Sequence, residues 1–151
     1  MSRLALLLAL VVAPVHMAAQ APALAGEWTV TLATGIRNEN GVETPIMQTG
    51  TLSITAQGDS LIGIMKMQPP EGAPARPPAR MAAKLGGGPA VFVLTSQATI
   101  NMNGETSTRT AVSTFTLSAN GDTLTGTLVR RIEGMDFPAS PMPVTGSRVR
   151  K

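Results

Sequence analysis

One fifteen-residue pattern occurs twice in this chain, and few folds can accommodate it. Thr51-Leu-Ser-Ile-Thr-Ala-Gln-Gly-Asp-Ser-Leu-Ile-Gly-Ile-Met65 returns as Thr114-Phe-Thr-Leu-Ser-Ala-Asn-Gly-Asp-Thr-Leu-Thr-Gly-Thr-Leu128. Each copy is an alternating run, a Gly-Asp turn, and a second alternating run with glycine at a fixed place. That is a β-hairpin written twice.

Neighbouring side chains in an extended chain point to opposite faces. In the second copy, Phe115, Leu117, Leu124, Gly126 and Leu128 therefore share one face, while the other face is almost entirely hydroxyl. Threonine suits a wet face, because it is β-branched yet tolerates water. Asn120-Gly121 has the composition of a two-residue turn. The repeated glycine, Gly63 and Gly126, falls on the apolar face. It either opens space for a sharply bent sheet or marks a bulge.

The same alternation runs through the rest of the chain. It predicts strands over 27–34, 43–56, 60–67, 80–85, 90–102, 105–118, 123–133 and 144–150. Asn40-Gly41, Gln57-Gly58, Gly86–Gly88, Asn103-Gly104 and Asn120-Gly121 supply turns. Pro45 marks an edge or a bulge at the start of the second strand. Pro69–Arg80, rich in proline, cannot join a ladder and reads as an extended linker. Residues 134–143, with Pro138, Pro141 and Pro143, form a second long loop. No long segment spaces its apolar residues as a helix does. Eight strands joined neighbour to neighbour leave two edges unless the sheet closes. The prediction is an all-β fold, an eight-stranded antiparallel up-and-down barrel, with a β-sandwich as the alternative. One end of such a barrel is tightly turned. The other carries the proline linker and the 134–143 loop, and any mouth lies there.

The start of the chain reads as a signal peptide. Arg3 is the positive flank, Leu4–Val12 the apolar core, and His16–Ala21 a small-residue cleavage zone. The expected cut follows Ala19, or alternatively Ala21, leaving one domain over 26–151. The apolar run is too short to span a bilayer. Export to the periplasm or the medium is the expected localisation. Trimming removes His16, the only histidine, and lowers the formal charge of +3 by one through loss of Arg3. With no cysteine or tyrosine in the chain, imidazole and thiolate chemistry are absent from the trimmed product. One Trp and three Phe, with scattered charges, do not make the stacking basic surface of a nucleic-acid binder. A hydroxyl outer face without aromatic girdles argues against a barrel inserted in a membrane.

Gly26-Glu27-Trp28 opens the first strand. Gly-x-Trp at that place resembles the signature of the lipocalins and the wider calycin group. The resemblance implies that Trp28 plugs the closed end of the barrel, and that an arginine of the last strand packs across it. Arg148 or Arg150 is placed for that role, and Arg148 is taken as the partner. The chain is more similar to short secreted lipocalin-like barrels of bacteria than to a full lipocalin. The several pocket tryptophans of the similar avidins are absent.

Strand parity turns Leu32, Ile54, Met65, Met67, Phe92, Met102 and Phe115 inward, and these are the candidate lining for a small apolar ligand. Met65 and Met67 share a face and could hold Cu(I), but with no His or Cys beside them, packing is the stronger reading. No metal, cofactor or catalytic residue is assigned. Asp59 and Asp122 each sit in a turn, where Asp is favoured for local bonding. Glu133 and Asp136 flank the mouth loop without the convergence a glycosidase needs. The function expected is an exported, non-enzymatic barrel that binds a small apolar molecule at its looped end. The alternative is a solid-cored module that meets a protein partner through Pro69–Arg80.

Overall fold

The computed structural model describes residues 21–102, 105–135 and 140–150. The predicted leader, the Asn103-Gly104 turn, Asp136 and Pro138 lie outside them. A single helical turn, α1 (Ala21–Leu24), precedes eight strands. These are β1 (Gly26–Glu39), β2 (Val42–Gln57), β3 (Ser60–Met67), β4 (Ala79–Lys84), β5 (Ala90–Met102), β6 (Glu105–Asn120), β7 (Thr123–Ile132) and β8 (Met142–Arg148). They pair antiparallel in chain order, and β8 closes on β1. The sheet is the up-and-down barrel, not the sandwich.

The alternation of the sequence accounts for its two faces. Val30, Leu32, Leu52, Ile54, Leu61, Met65, Phe92, Phe115, Leu117, Leu124 and Leu128 are buried inside. Outside, cross-strand pairing lines hydroxyls up in rows. Thr49 faces Thr31, Thr31 faces Thr145, Thr145 faces Thr125, and Thr125 faces Ser118. The Thr31 and Thr49 hydroxyls stand 3.3 Å apart. Threonine gives way to exposed Ile64, Val91 and Val93 on the β3 and β5 side.

Several boundaries differ from the alternation. β1 runs to Glu39 rather than ending at Thr34, because a register shift between Ala33 and Gly35 lets its pairing with β2 continue. Beyond Gly50, β2 has no β3 partner, so the far part of the β1–β2 pair is a two-stranded ribbon at the looped end. Pro45 lies in this ribbon, where a missing N–H breaks no second ladder. β8 begins at Met142, earlier than its apolar run suggested. Pro143 pairs with Thr127 of β7, whereas pairing of β8 with β1 starts only at Val144. Both repeated hairpins turn at Gly-Asp, as their shared pattern indicates: Gly58-Asp59 and Gly121-Asp122, rather than Gln57-Gly58 and Asn120-Gly121, since Gln57 faces Ser60 in the ladder. Asn120 faces Thr123 in the ladder, and Gly121 takes φ of +58°, as the first central residue of a type II′ turn does.

The repeated glycine is no bulge, since register runs unbroken through Gly63 and Gly126. A methyl at Gly126 would strike the Thr116 carbonyl oxygen and lie 2.8 Å from Leu117 Cδ2. At Gly63 it would meet Met81 Cε at 3.1 Å and Phe92 Cε1 at 3.4 Å. Glycine lets the neighbouring strand or side chain approach at both positions. Among the described residues, no helix is long and apolar enough to cross a membrane.

Candidate functional site: a capped floor and a polar-edged mouth

The turned end of the barrel is sealed. Trp28 is fully buried, and its indole N–H donates to the Leu24 carbonyl at 2.9 Å. A buried N–H without an acceptor is costly, so α1 supplies what the strands do not. Arg148, opposite Trp28 in the β1–β8 register, lays its guanidinium over the ring, with Cζ 4.2 Å from the centroid. Its Nη1 donates to the Ala25 carbonyl at 2.8 Å and Nη2 to that of Ala23 at 2.7 Å. Asp122 adds a contact to Nε at 3.5 Å. Gly26, at φ of +135°, passes so close to Arg148 Nη1 that a Cβ would collide with it. Of the two late arginines, Arg148 stacks on the ring. Arg150 reaches the Asp122 carboxylate at 3.2 Å but is 86% exposed.

Above this cap, the candidate lining residues form a packed core. Phe92 has no exposed surface, Ile54 1%, Leu32 and Phe115 2%, and Met65 5%. Phe92 and Phe115 face one another across β5 and β6. A cavity of about 10 Å3, lined by Leu24, Leu61, Leu85 and Ala90 among others, lies at the turned end. It has room for about one water. Met67, Leu94 and Met142 are only partly buried against the core, and they sit towards the looped end. Met102 ends β5 at that end. The structure therefore brings five of the seven candidates into the floor and leaves Met67 at the mouth.

The alternation also holds a feature that composition concealed. Arg130 continues the inward series Leu124, Gly126, Leu128 on β7, so it points into the mouth rather than into solvent. It faces Ser113, itself buried to 1% exposure, and Ser113 faces Leu94. Arg130 Nε donates to Ser113 Oγ at 3.2 Å, and Nη1 donates to the Thr34 carbonyl at 3.3 Å. Burial, and then the charge of Arg76 on the β3–β4 segment, hold its pKa below the ordinary guanidinium value. In the sequence, Arg130 reads only as one of the scattered charges. Counting parity two residues past Leu128 would have found it. Leu24 and Met81, both buried, were missed for different reasons. Leu24 precedes the first strand, and Met81 lies in a strand too short to show a clear pattern.

Ser60 Oγ donates to the Asp59 carboxylate at 3.1 Å, and Asp122 serves Arg148 and Arg150. Both acids thus do local work in their turns. Glu133 offers its backbone carbonyl to Arg109 Nη1 at 3.2 Å. Compared with known proteins, the chain matches no family model, no curated protein and no solved structure.

Proposed function

We propose that this is an exported, non-enzymatic barrel that binds a small, mainly apolar molecule at its looped end, resting in the mouth rather than deep inside. The observation that carries this reading is the change of lining along the barrel. Trp28, Phe92 and Phe115 are closed off below, while Met67, Leu94 and Met142 remain partly open above them. Methionine adapts its shape to what it meets, which suits a shallow apolar seat. The leader-like start supports export. The Gly26-Glu27-Trp28 opening, with Arg148 stacked on the ring, supports kinship with lipocalin-like barrels. The lack of His, Cys and Tyr in the trimmed chain supports a binding role over catalysis.

The test is a titration with Nile red, a neutral fluorophore that brightens in apolar surroundings. Saturable brightening that Leu94→Asp and Met67→Asp abolish, with the barrel intact by circular dichroism, is the expected result. A flat titration of the unmodified protein removes the proposal.

The packed floor and the 10 Å3 cavity favour a second reading, a solid-cored interaction module. Its contact strip is the part of Pro69–Arg80 outside the ladder, residues 69–78, which are exposed, whereas Ala79 and Arg80 join β4 and pair with Met65 and Ile64 of β3. Replacing residues 71–77 by Gly and Ser should then release an exported partner that the native chain retains. Retention unchanged by the replacement counts against the strip.

A further inference from the structure

We propose that the outer face of β3, β4 and β5 docks on a membrane surface rich in anionic phospholipid, with the barrel lying against the bilayer rather than inserted in it. This face is on the wall of the barrel, outside the mouth, and its role is independent of what the mouth binds.

The outer wall has two unlike sides. From β2 through β1 and β8 to β7, the outward row Thr49, Thr31, Thr145 and Thr125 is all hydroxyl. On β3, β4 and β5 the same outward parity gives Ile62, Ile64, Ala82, Val91 and Val93. Ile64 is 46% exposed, Val91 48% and Val93 49%. Ile62 faces Ala82, and Ala82 faces Val93, so the apolar patch crosses three strands without a break. Single apolar side chains on a surface need no explanation, but a contiguous patch marks a contact. Strand propensity does not demand it, since threonine fills the equivalent positions on the other side.

The charges around the patch are of one sign. Lys66, Arg80 and Lys84 are exposed on the same face. Arg80 faces Ile64, and Lys84 faces Ser60 at the turned end, so cations bracket the patch along the barrel. β3, β4 and β5 contain no Asp or Glu. The acids nearest in the chain, Asp59 and Glu71, lie off these strands, in the β2–β3 turn and on the exposed segment before β4. The ion pairs among the described residues all involve Asp122, in the β6–β7 turn. The three cations are left to meet an anion from outside.

An apolar centre with a cationic rim complements the boundary between phosphate headgroups and acyl chains. The long stems of Lys and Arg reach the phosphates while Ile and Val rest at the boundary. A second copy of the chain does not complement the face. A two-fold contact would set Lys66, Arg80 and Lys84 against their own counterparts, with no acid on these strands to receive them. Protein interfaces centre on large anchors such as Trp, Tyr and Arg held in pockets, whereas the middle of this face carries only Ile, Val and Ala. A fluid lipid surface requires no such match of shape.

Co-sedimentation of the exported form, residues 20–151, with phospholipid vesicles tests this; the leader is left out because its apolar run would itself bind lipid. The native chain should pellet with vesicles of mixed phosphatidylglycerol and phosphatidylcholine and stay in solution with phosphatidylcholine alone. Raising the salt to about 0.5 M should release most of it. Lys66→Gln, Arg80→Gln and Lys84→Gln together should weaken binding roughly a hundredfold, about fivefold for each cation. Ile64→Thr with Val93→Thr, which copies the hydroxyl side, should weaken it about tenfold. All five side chains point away from the core, and an unchanged melting temperature separates lost docking from lost folding. A native chain that ignores phosphatidylglycerol overturns the proposal. Binding that survives either set of substitutions overturns the assignment to this face. Equally tight binding to soluble polyglutamate, unaffected by Ile64→Thr with Val93→Thr, overturns the bilayer in favour of an acidic protein.

Discussion

The guanidinium of Arg148 lies 4.2 Å from the centroid of the Trp28 ring, and the same group donates to the Ala23 and Ala25 carbonyls. One side chain thus covers the barrel floor and fastens the N-terminal turn to it. Arg148→Ala should destabilise the fold by about 3 kcal/mol, from the stacked cation and two charge-assisted hydrogen bonds. Arg148→Lys should recover little, because an ammonium cannot lie flat on the ring and reach both carbonyls. Urea unfolding followed by the emission of Trp28, the only tryptophan, measures both changes.

Arg150 provides the contrast. Its contact with Asp122 is 3.2 Å long but largely in water, where ion pairs contribute little. Arg150→Ala should stay within about 0.5 kcal/mol of the native stability in the same urea experiment.

The two equivalent glycines should respond differently to one methyl group. At Gly126 the obstacle includes the Thr116 carbonyl, which is backbone and cannot step aside. Gly126→Ala should cost about 3 kcal/mol. At Gly63 the closest atom is the flexible end of Met81, so Gly63→Ala should change stability by about 1 kcal/mol or less. Thermal melts of the two variants give the comparison directly.

Phe92 is fully enclosed and faces Phe115 across the β5–β6 pair. Phe92→Ala should cost about 3–5 kcal/mol and leave an apolar void. Val93, its neighbour on the outer face, is 49% exposed, and Val93→Thr should be nearly neutral. A Phe92→Ala chain that gains Nile red binding below the mouth would show that the native floor is closed by this ring.

Much of the fold was legible because its signal is local and repeated. Leu117 and Leu124 each lie between hydroxyl residues, and that alternation alone fixes which face curls inward. The repeat read as Gly-Asp placed the turn correctly, whereas Asn120-Gly121 misplaced it by one residue because Asn-Gly satisfies turn chemistry in isolation. The ladder, set by pairing Asn120 with Thr123, decides the register instead. The extension of β1 past Ala33 was hidden, since a shifted register breaks the alternation that reveals a strand. At the mouth, Met67 could be read from parity, but Arg130 could not be recognised from charge pattern. Its meaning depends on Ser113 and Thr34, residues brought to it by the closed sheet.

The grip on Ala23 and Ala25, with Leu24 enclosed between them, sets a limit on how far the start of this polypeptide can be shortened. A peptidase that removed everything before Gly26 would take away both carbonyls that Arg148 holds and the one that accepts the Trp28 indole proton. A cut at either expected position, after Ala19 or after Ala21, would spare all three. Ala23–Ala25 are thus a built part of the barrel, a cork seated in the bottle.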